Sequence, residues 1–190
     1  MLRLRVRDYA PSDVLGFRSE GIAVRERMFE SLTEPNDPAV LAVDFREMRV
    51  MASSPLDELT FVLRDNLRRR SSCLFPVFAN LDPWREELEA ISAIRRGDSL
   101  PLCELDNSGS VHAARILGSL DEAQKVTLRA LQKMGEATGA LLHHSDANGR
   151  RTSATAWNNR LAYLSRKGLV VERAEGRAKF YRPVLADMEV

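Results

Sequence analysis

Between Arg150 and Tyr181 the chain gathers side chains suited to reading or holding a polyanion. Trp157, Leu161 and Leu164 stand at helical spacing and define one apolar face. The opposite face, near the start of the same helix, then presents Ser153, Thr155, Asn158 and Asn159. An Asn amide can pair with adenine through two hydrogen bonds, and a Thr offers a methyl or a hydroxyl. Around this face stand Arg150, Arg151, Arg160, Arg166, Arg173, Arg177 and Lys179, the charge type that neutralises phosphates. The implied chemistry is hydrogen bonding to base edges combined with phosphate contact.

Other reactive residue types form weaker patterns. His143-His144 lacks a Cys or carboxylate at ligand spacing, so no metal is expected there. His112 stands alone, and Asp44 is a single carboxylate at the end of an apolar run. The chain has no Gly-rich loop with a Lys, no Ser-His-Asp spacing and no CxxC. Neither an enzyme nor a bound cofactor is expected. Cys73 and Cys103 sit in apolar runs and read as small buried hydrophobes. Ser53 and Ser54 precede Pro55 and a Leu-rich stripe. Ser54 is a good helix N-cap, with Pro55 at the first helical position and Asp57 in the first turn.

The elements that must position these residues follow from periodicity. Leu2, Leu4 and Val6 alternate with Arg3, Arg5 and Arg7 as in a half-exposed strand. A helix over about 19–32 follows. Ala39 to Phe45 is a nearly continuous apolar run, as in a strand buried on both faces. Leu56, Leu59, Val62, Leu63 and Leu67 form the next helical stripe. Cys73 to Ala79 is a further strand, and Pro76 predicts that it lies at an edge or carries a bulge. Asp82-Pro83 opens a helix with Trp84, Leu88, Ile91 and Ile94 as its stripe. Leu100 to Leu105 is the last strand of this half, before a turn at Asp106 to Gly109. The first ~110 residues therefore predict a small α/β layer with a mostly parallel or mixed sheet.

Ser119 to Glu122 reads as a capping box for a helix whose face is Ala123, Val126, Ala130, Leu131 and Met134. A short helix covers about Ala137 to His144. Thr152 or Ser153 caps a third, which ends at Lys167-Gly168. Leu169 to Val171 and Ala178 to Tyr181 then form a hairpin around Ala174 to Arg177.

Charge divides at the same place. The chain has 190 residues and a net charge of +1. Residues 1–118 carry 16 Arg and no Lys against 19 acids, a balance of −3, while 119–190 carry 12 basic residues against 8 acids, a balance of +4. Two domains are expected, 1–117 and 118–190, the second facing a polyanion. The 44% hydrophobic and 29% charged residues exclude a disordered chain, and 10 Gly exclude a collagen-like one. No apolar run reaches the ~18–20 residues of a membrane span. The charged N-terminus lacks a signal-peptide core, which points to the cytosol.

Residues 155–170 and 172–181, with a helix closed by Gly168-Leu169-Val170 and a basic hairpin ending in Phe180-Tyr181, resemble the winged helix-turn-helix domains of transcription regulators. The resemblance covers residues ~118–185. It implies that the third helix reads the major groove of double-stranded DNA while the hairpin wing touches phosphates. The polar stretch from Leu141-Leu142-His143-His144 to Arg151 is longer than the usual turn of that family.

The order of strand, helix, strand (AVLAVDF) and Ser-Ser-Pro before a Leu-rich helix resembles the STAS-like domains, relatives of anti-sigma-factor antagonists, over residues ~1–110. Arg18 to Gly21 and Val43 to Phe45 share in the likeness. In that family a phosphorylatable Ser or Thr follows an Asp at this helix start. Here Ala52 stands where the Asp would be. Ser53 and Ser54 are thus candidates for phosphorylation or for capping. Together the resemblances imply a DNA-binding regulator whose N-terminal domain mediates homodimerisation or signal input. The alternative is an interaction module that binds a kinase-like ATPase of the anti-sigma type without sequence-specific DNA binding.

Overall fold

A computed structural model describes residues 1–145 and 152–190. Arg150 and Arg151 lie outside the described residues. The protein is a mixed α/β fold with a mixed sheet and helices on both of its faces. Strands β1 (Leu2–Arg5), β3 (Ala39–Asp44), β5 (Leu74–Ala79) and β6 (Leu100–Leu105) run parallel, and β7 (Val111–Leu117) returns antiparallel to β6. The five-stranded order is β1-β3-β5-β6-β7. Helix α1 (Val6–Tyr9), a two-residue ladder of β2 (Val14–Leu15) with β4 (Val50–Met51), and α2 (Arg18–Ser31) fill the early connections. A continuous helical run follows as α3 (Ser53–Asp57), a π-helical turn (Glu58–Val62) and α4 (Leu63–Arg69). A short 3-10 turn (Asp82–Trp84) leads into α5 (Arg85–Ile94).

Strand alternation separates two cores. Leu41 and Val43 of β3, Leu74 and Phe78 of β5, and Leu100 and Leu102 of β6 face one side, where Leu56, Leu59, Leu63, Leu67 and Leu88 pack. Val40, Ala42, Phe75, Val77, Ala79, Cys103 and Leu105 face the other. That second face is covered by the C-terminal residues Leu128, Leu131, Trp157, Leu161, Leu164 and Val171. The expected division at 117/118 falls just after β7, yet the segments on either side share this core.

Several local expectations are corrected. Pro76 lies in the third of five strands, not at an edge. It is tolerated because β5 pairs with β6 only from Phe78, so the missing N–H falls before that ladder begins. Ser54 is not the N-cap: the helix starts at Ser53, Ala52 occupies the cap position, and no side chain caps it. Ile94 is exposed, because the helix ends there and turns it away from the core. Cys73 is only half-buried, at the mouth of β5. Cys103 is buried, and burial pushes its thiol up to about 12. β7 was not expected, because Val111 to Arg115 mix polar and apolar residues without a strict period and are largely exposed. The helix widens at Thr60, whose hydroxyl donates to the Leu56 carbonyl at 2.7 Å, where an α-helix places a backbone bond.

The fully buried charges, Asp44, Glu58 and Arg64, are paired. Arg64, 2% exposed, donates to Asp98 at 2.6 Å, to Asp65 at 2.7 Å and to the Ser99 carbonyl at 2.5 Å. Asp98 also takes Lys167 at 2.6 Å, which ties the two halves together. Burial opposes ionisation of Asp98, but the hydrogen bonds from Arg64 and Lys167 outweigh it and hold the carboxyl below its usual range. Asp44 behaves alike: burial raises it, while the Arg46 amide at 2.9 Å, Asn80 at 2.6 Å and Arg3 bring it below the usual value.

β1 and β7 are the sheet edges. The C-terminal tail bridges β7, with the Glu189 amide donating to the Ala114 carbonyl at 2.9 Å. Among the described residues no strand or bridge pairs with the free edge of β1, and Met1 and Leu2 are exposed. Among the described residues no helix is long and apolar enough to cross a membrane.

Candidate functional site

α6 (Glu122–Met134) begins at Asp121, not at the expected Ser119 box. Asp121 accepts from the Gln124 amide at 2.8 Å, and the Gln124 side chain accepts from the Asp121 amide at 3.1 Å. Ser119 cannot serve because its amide and hydroxyl both bond the Gly97 carbonyl, at 3.1 and 3.3 Å. The buried face of α6 is Thr127, Leu128 and Leu131, so Val126 and Met134, expected inside, are exposed.

α7 (Gly139–Ser145) packs against α8 (Ala154–Arg166), which is followed by the antiparallel hairpin β8 (Val170–Glu175) and β9 (Ala178–Pro183). Ala137, between α6 and α7, exchanges two backbone bonds with Tyr181, each of 2.9 Å, and so fixes the hairpin against the helices. Burial and the nearby Glu172 push the Tyr181 hydroxyl up to about 12.

Ser153 is the N-cap of α8, its hydroxyl accepting from the Ala156 amide at 3.2 Å. That occupies it structurally. Trp157, Leu161 and Leu164 are buried as the spacing predicts. Thr155, Asn158 and Asn159 are exposed and, with Arg166, lie along one outer stripe. Asn158 is already engaged: its Oδ1 accepts from the Gly139 amide at 3.2 Å. Its NH2 can still donate, but the two-bond pairing with adenine would have to use the one acceptor position its oxygen has left, with the amide held toward Gly139. Among the described residues nothing engages either group of the Asn159 amide. Arg160 is half-buried and lies over the Trp157 ring, 5.5 Å from its centroid.

The hairpin cations are distributed unevenly. Arg173 is bound to Glu136 at 3.1 Å and Glu175 at 2.7 Å, hydrogen bonds that hold it firmly protonated. Lys179 pairs with Glu172 at 2.6 Å. Arg177 is exposed in the hairpin turn, with no ion pair among the described residues. Exposed pairs of this kind are weak and salt-sensitive, so a phosphate can replace either carboxylate. Thus, among the described residues, Asn159, Thr155 and Arg177 have no side-chain partner, while Ser153, Asn158, Arg173 and Lys179 have intramolecular ones.

Ser53 is exposed and Ser54 half-buried at the start of α3. They lie on a different element from the α8 stripe. His143 is tied locally, its Nδ1 lying 2.8 Å from the Thr152 carbonyl. No group of three or more His, Cys, Asp or Glu is placed to hold a metal among the described residues.

Sequence reasoning missed Glu136 and Gly139. Glu136 bears no local pattern, because it meets Arg173 only through the fold. Gly139 had one visible mark, a glycine at a helix start. A Cβ there would lie 2.3 Å from Asn158 Oδ1. No protein-family model, no curated protein and no solved structure matches this chain.

Proposed function

We propose that the chain is a non-enzymatic DNA-binding regulator. In this reading α6, α7, α8 and the β8–β9 hairpin act as a winged helix-turn-helix: α8 enters the major groove and the hairpin follows the phosphates. The observation that carries it is the exposed stripe Thr155, Asn158, Asn159 and Arg166 on a helix whose other side is locked in the core. Beside it stands a hairpin bearing Arg173, Arg177 and Lys179. The N-terminal half, read as STAS-like, supplies assembly. The bare β1 edge is the contact through which two copies would pair, giving a two-fold dimer and a palindromic site. The Leu-rich helix does not serve, because Leu56, Leu59, Leu63 and Leu67 are buried in the first core.

A gel-shift of the full chain with duplex DNA at two salt concentrations tests the reading. Binding that weakens steeply with salt supports it. Absence of binding at low salt would overturn it. A second reading, docking of an ATPase partner, is favoured by the exposed Phe17 and Val50, which flank the connections leading to α2 and to Ser53. It predicts capture of such a partner with no retention on heparin.

A further inference from the structure

Arg68, at the end of α4, is a cation enclosed without an acid. Its Nε is buried with no hydrogen-bond partner. Its Nη2 donates to the Ser72 carbonyl at 2.9 Å and to that of Leu74. The guanidinium carbon lies 3.7 Å from the centroid of the Phe75 ring. No carboxylate forms an ion pair with it among the described residues. The two acids near enough to be felt are committed elsewhere. Glu34 accepts from Ser72 Oγ at 2.8 Å and from the Cys73 amide, and Glu172 holds Lys179 at 2.6 Å. Enclosure therefore disfavours the charged form, and burial pushes the Arg68 pKa down to about 10. A desolvated charge without a counter-ion is costly, and an anion arriving beside it would remove that cost.

There is room for one. Arg68 lines a cleft of about 350 Å³ between the Ser71–Cys73 loop and the C-terminal half of the molecule. Arg166 from α8 and Lys179 from β9 line the opposite side, so three cations border the cleft with Glu172 as its one acid. Ser71, in the loop, holds φ at 53°, a strained value for a serine.

We propose that this cleft binds the oxyanion head group of a small ligand, of phosphate or carboxylate type, through Arg68, Arg166 and Lys179. A guanidinium fork matches the two oxygens of either group, and a second cation across the cleft fixes its orientation. The volume admits a head group with a small body attached. Lys179 and Arg166 also belong to the surface assigned to DNA, so the bound ligand competes with duplex. That competition rests on the DNA reading, while anion binding does not.

The test is calorimetric titration of the full chain, without DNA, using inorganic phosphate in one arm and succinate in the other, at matched ionic strength. Saturable binding of one molecule per chain in either arm is expected, and the stronger arm identifies the head group. Arg68→Gln and Arg166→Gln should each weaken it at least about tenfold, and Arg85→Gln, on the exposed face of α5, should leave it unchanged. If Arg68→Gln fails to fold, Arg166→Gln and Lys179→Gln decide. No saturable binding in either arm, or affinities unchanged in these variants, overturns the proposal. So does a cleft that rejects both anions while Arg68→Gln weakens duplex binding, since the site would then be a DNA phosphate contact. Gel-shifts without added anion judge the DNA reading separately.

Discussion

In residues 1–118 three arginines are each shared between two carboxylates, and one of them, Arg64, is fully buried. Arg64 bridges Asp65 and Asp98, Arg18 bridges Asp57 and Glu58, and Arg95 bridges Asp57 and Asp65. In the C-terminal hairpin Lys179 and Arg173 stay near the surface; Lys179 touches a carboxylate of the paired strand, and Arg173 touches one on its own strand and one in a neighbouring loop. Arg suits these three positions, because one planar guanidinium can serve two carboxylates at once and an ammonium does so less well. The contrast shows what each kind of charge is for. A buried pair specifies the fold, because removing one partner strands the other. A surface pair exchanges its partner at little cost and leaves its cation available to an incoming anion.

Asp98→Asn strikes the buried side of this contrast. It leaves Arg64 enclosed with weaker compensation, and a loss of about 3–5 kcal/mol is expected in denaturant unfolding. The pH dependence has a definite sign. Asp98 titrates lower when folded than unfolded, so its contribution is present above the unfolded value near ~4 and disappears as pH falls through the lower folded value. The gap between the parent and Asp98→Asn should therefore close in acid and not in base. A gap that does not narrow as the pH is lowered below the unfolded value would place the effect outside this carboxylate.

Gly139→Ala is next. Its Cβ would meet Asn158 Oδ1 at 2.3 Å and the Asn158 backbone nitrogen at 2.9 Å, so the side chain must swing away and α8 must also give slightly. A stability loss of about 1–3 kcal/mol is expected from overpacking. The double variant Gly139→Ala with Asn158→Ala should recover part of it, and no recovery would mean that the crowding lies elsewhere.

Asn159→Ala should leave folding alone and cost a comparable amount only on a cognate duplex. A two-bond base contact is worth ~1–3 kcal/mol of discrimination. Asn158→Ala should cost less discrimination, since its oxygen is held by Gly139. Competition gel-shifts with matched and scrambled duplexes measure both, and equal losses on every sequence would make Asn159 a positioning group.

The smallest effect on stability belongs to the surface side. Neutralising Arg173, Arg177 and Lys179 together should scarcely move the melting temperature. It should reduce the slope of log K against log salt by ~0.9 for each lost phosphate contact. A large drop in melting temperature with an unchanged slope would show that these cations hold the hairpin and do not face DNA.

Much of the framework can be read from the chain. The run Ala39 to Phe45 announces a strand buried on both faces, and β3 is one. Trp157, Leu161 and Leu164 announce the inner face of α8. What covers the second face of the sheet is not written locally, because Val40, Phe75 and Val77 meet Leu128 and Leu161 across long sequence separations. The cap of α6 shifted by two residues because Ser119 is tied to Gly97, again a contact between distant segments. For the site, residue types on α8 and the hairpin were visible, but their partners were not. Glu136, Gly139 and Glu172 occupy Arg173, Asn158 and Lys179 only once the chain is folded. The lone charge of Arg68 was invisible for the same reason.

The sheet acquires its second cover last. A ribosome delivers residues 1–117 with Val40, Ala42, Phe75, Val77 and Cys103 still facing water, and the side chains that seal them arrive only in the remaining 73 residues. At ~5–20 residues per second that interval lasts roughly 4–15 seconds. During it the nascent chain presents an apolar sheet face and an open β1 edge together, the combination that chaperones shield and that aggregates recruit. A messenger truncated after β7 would leave that condition permanent, so such a fragment should accumulate as insoluble material.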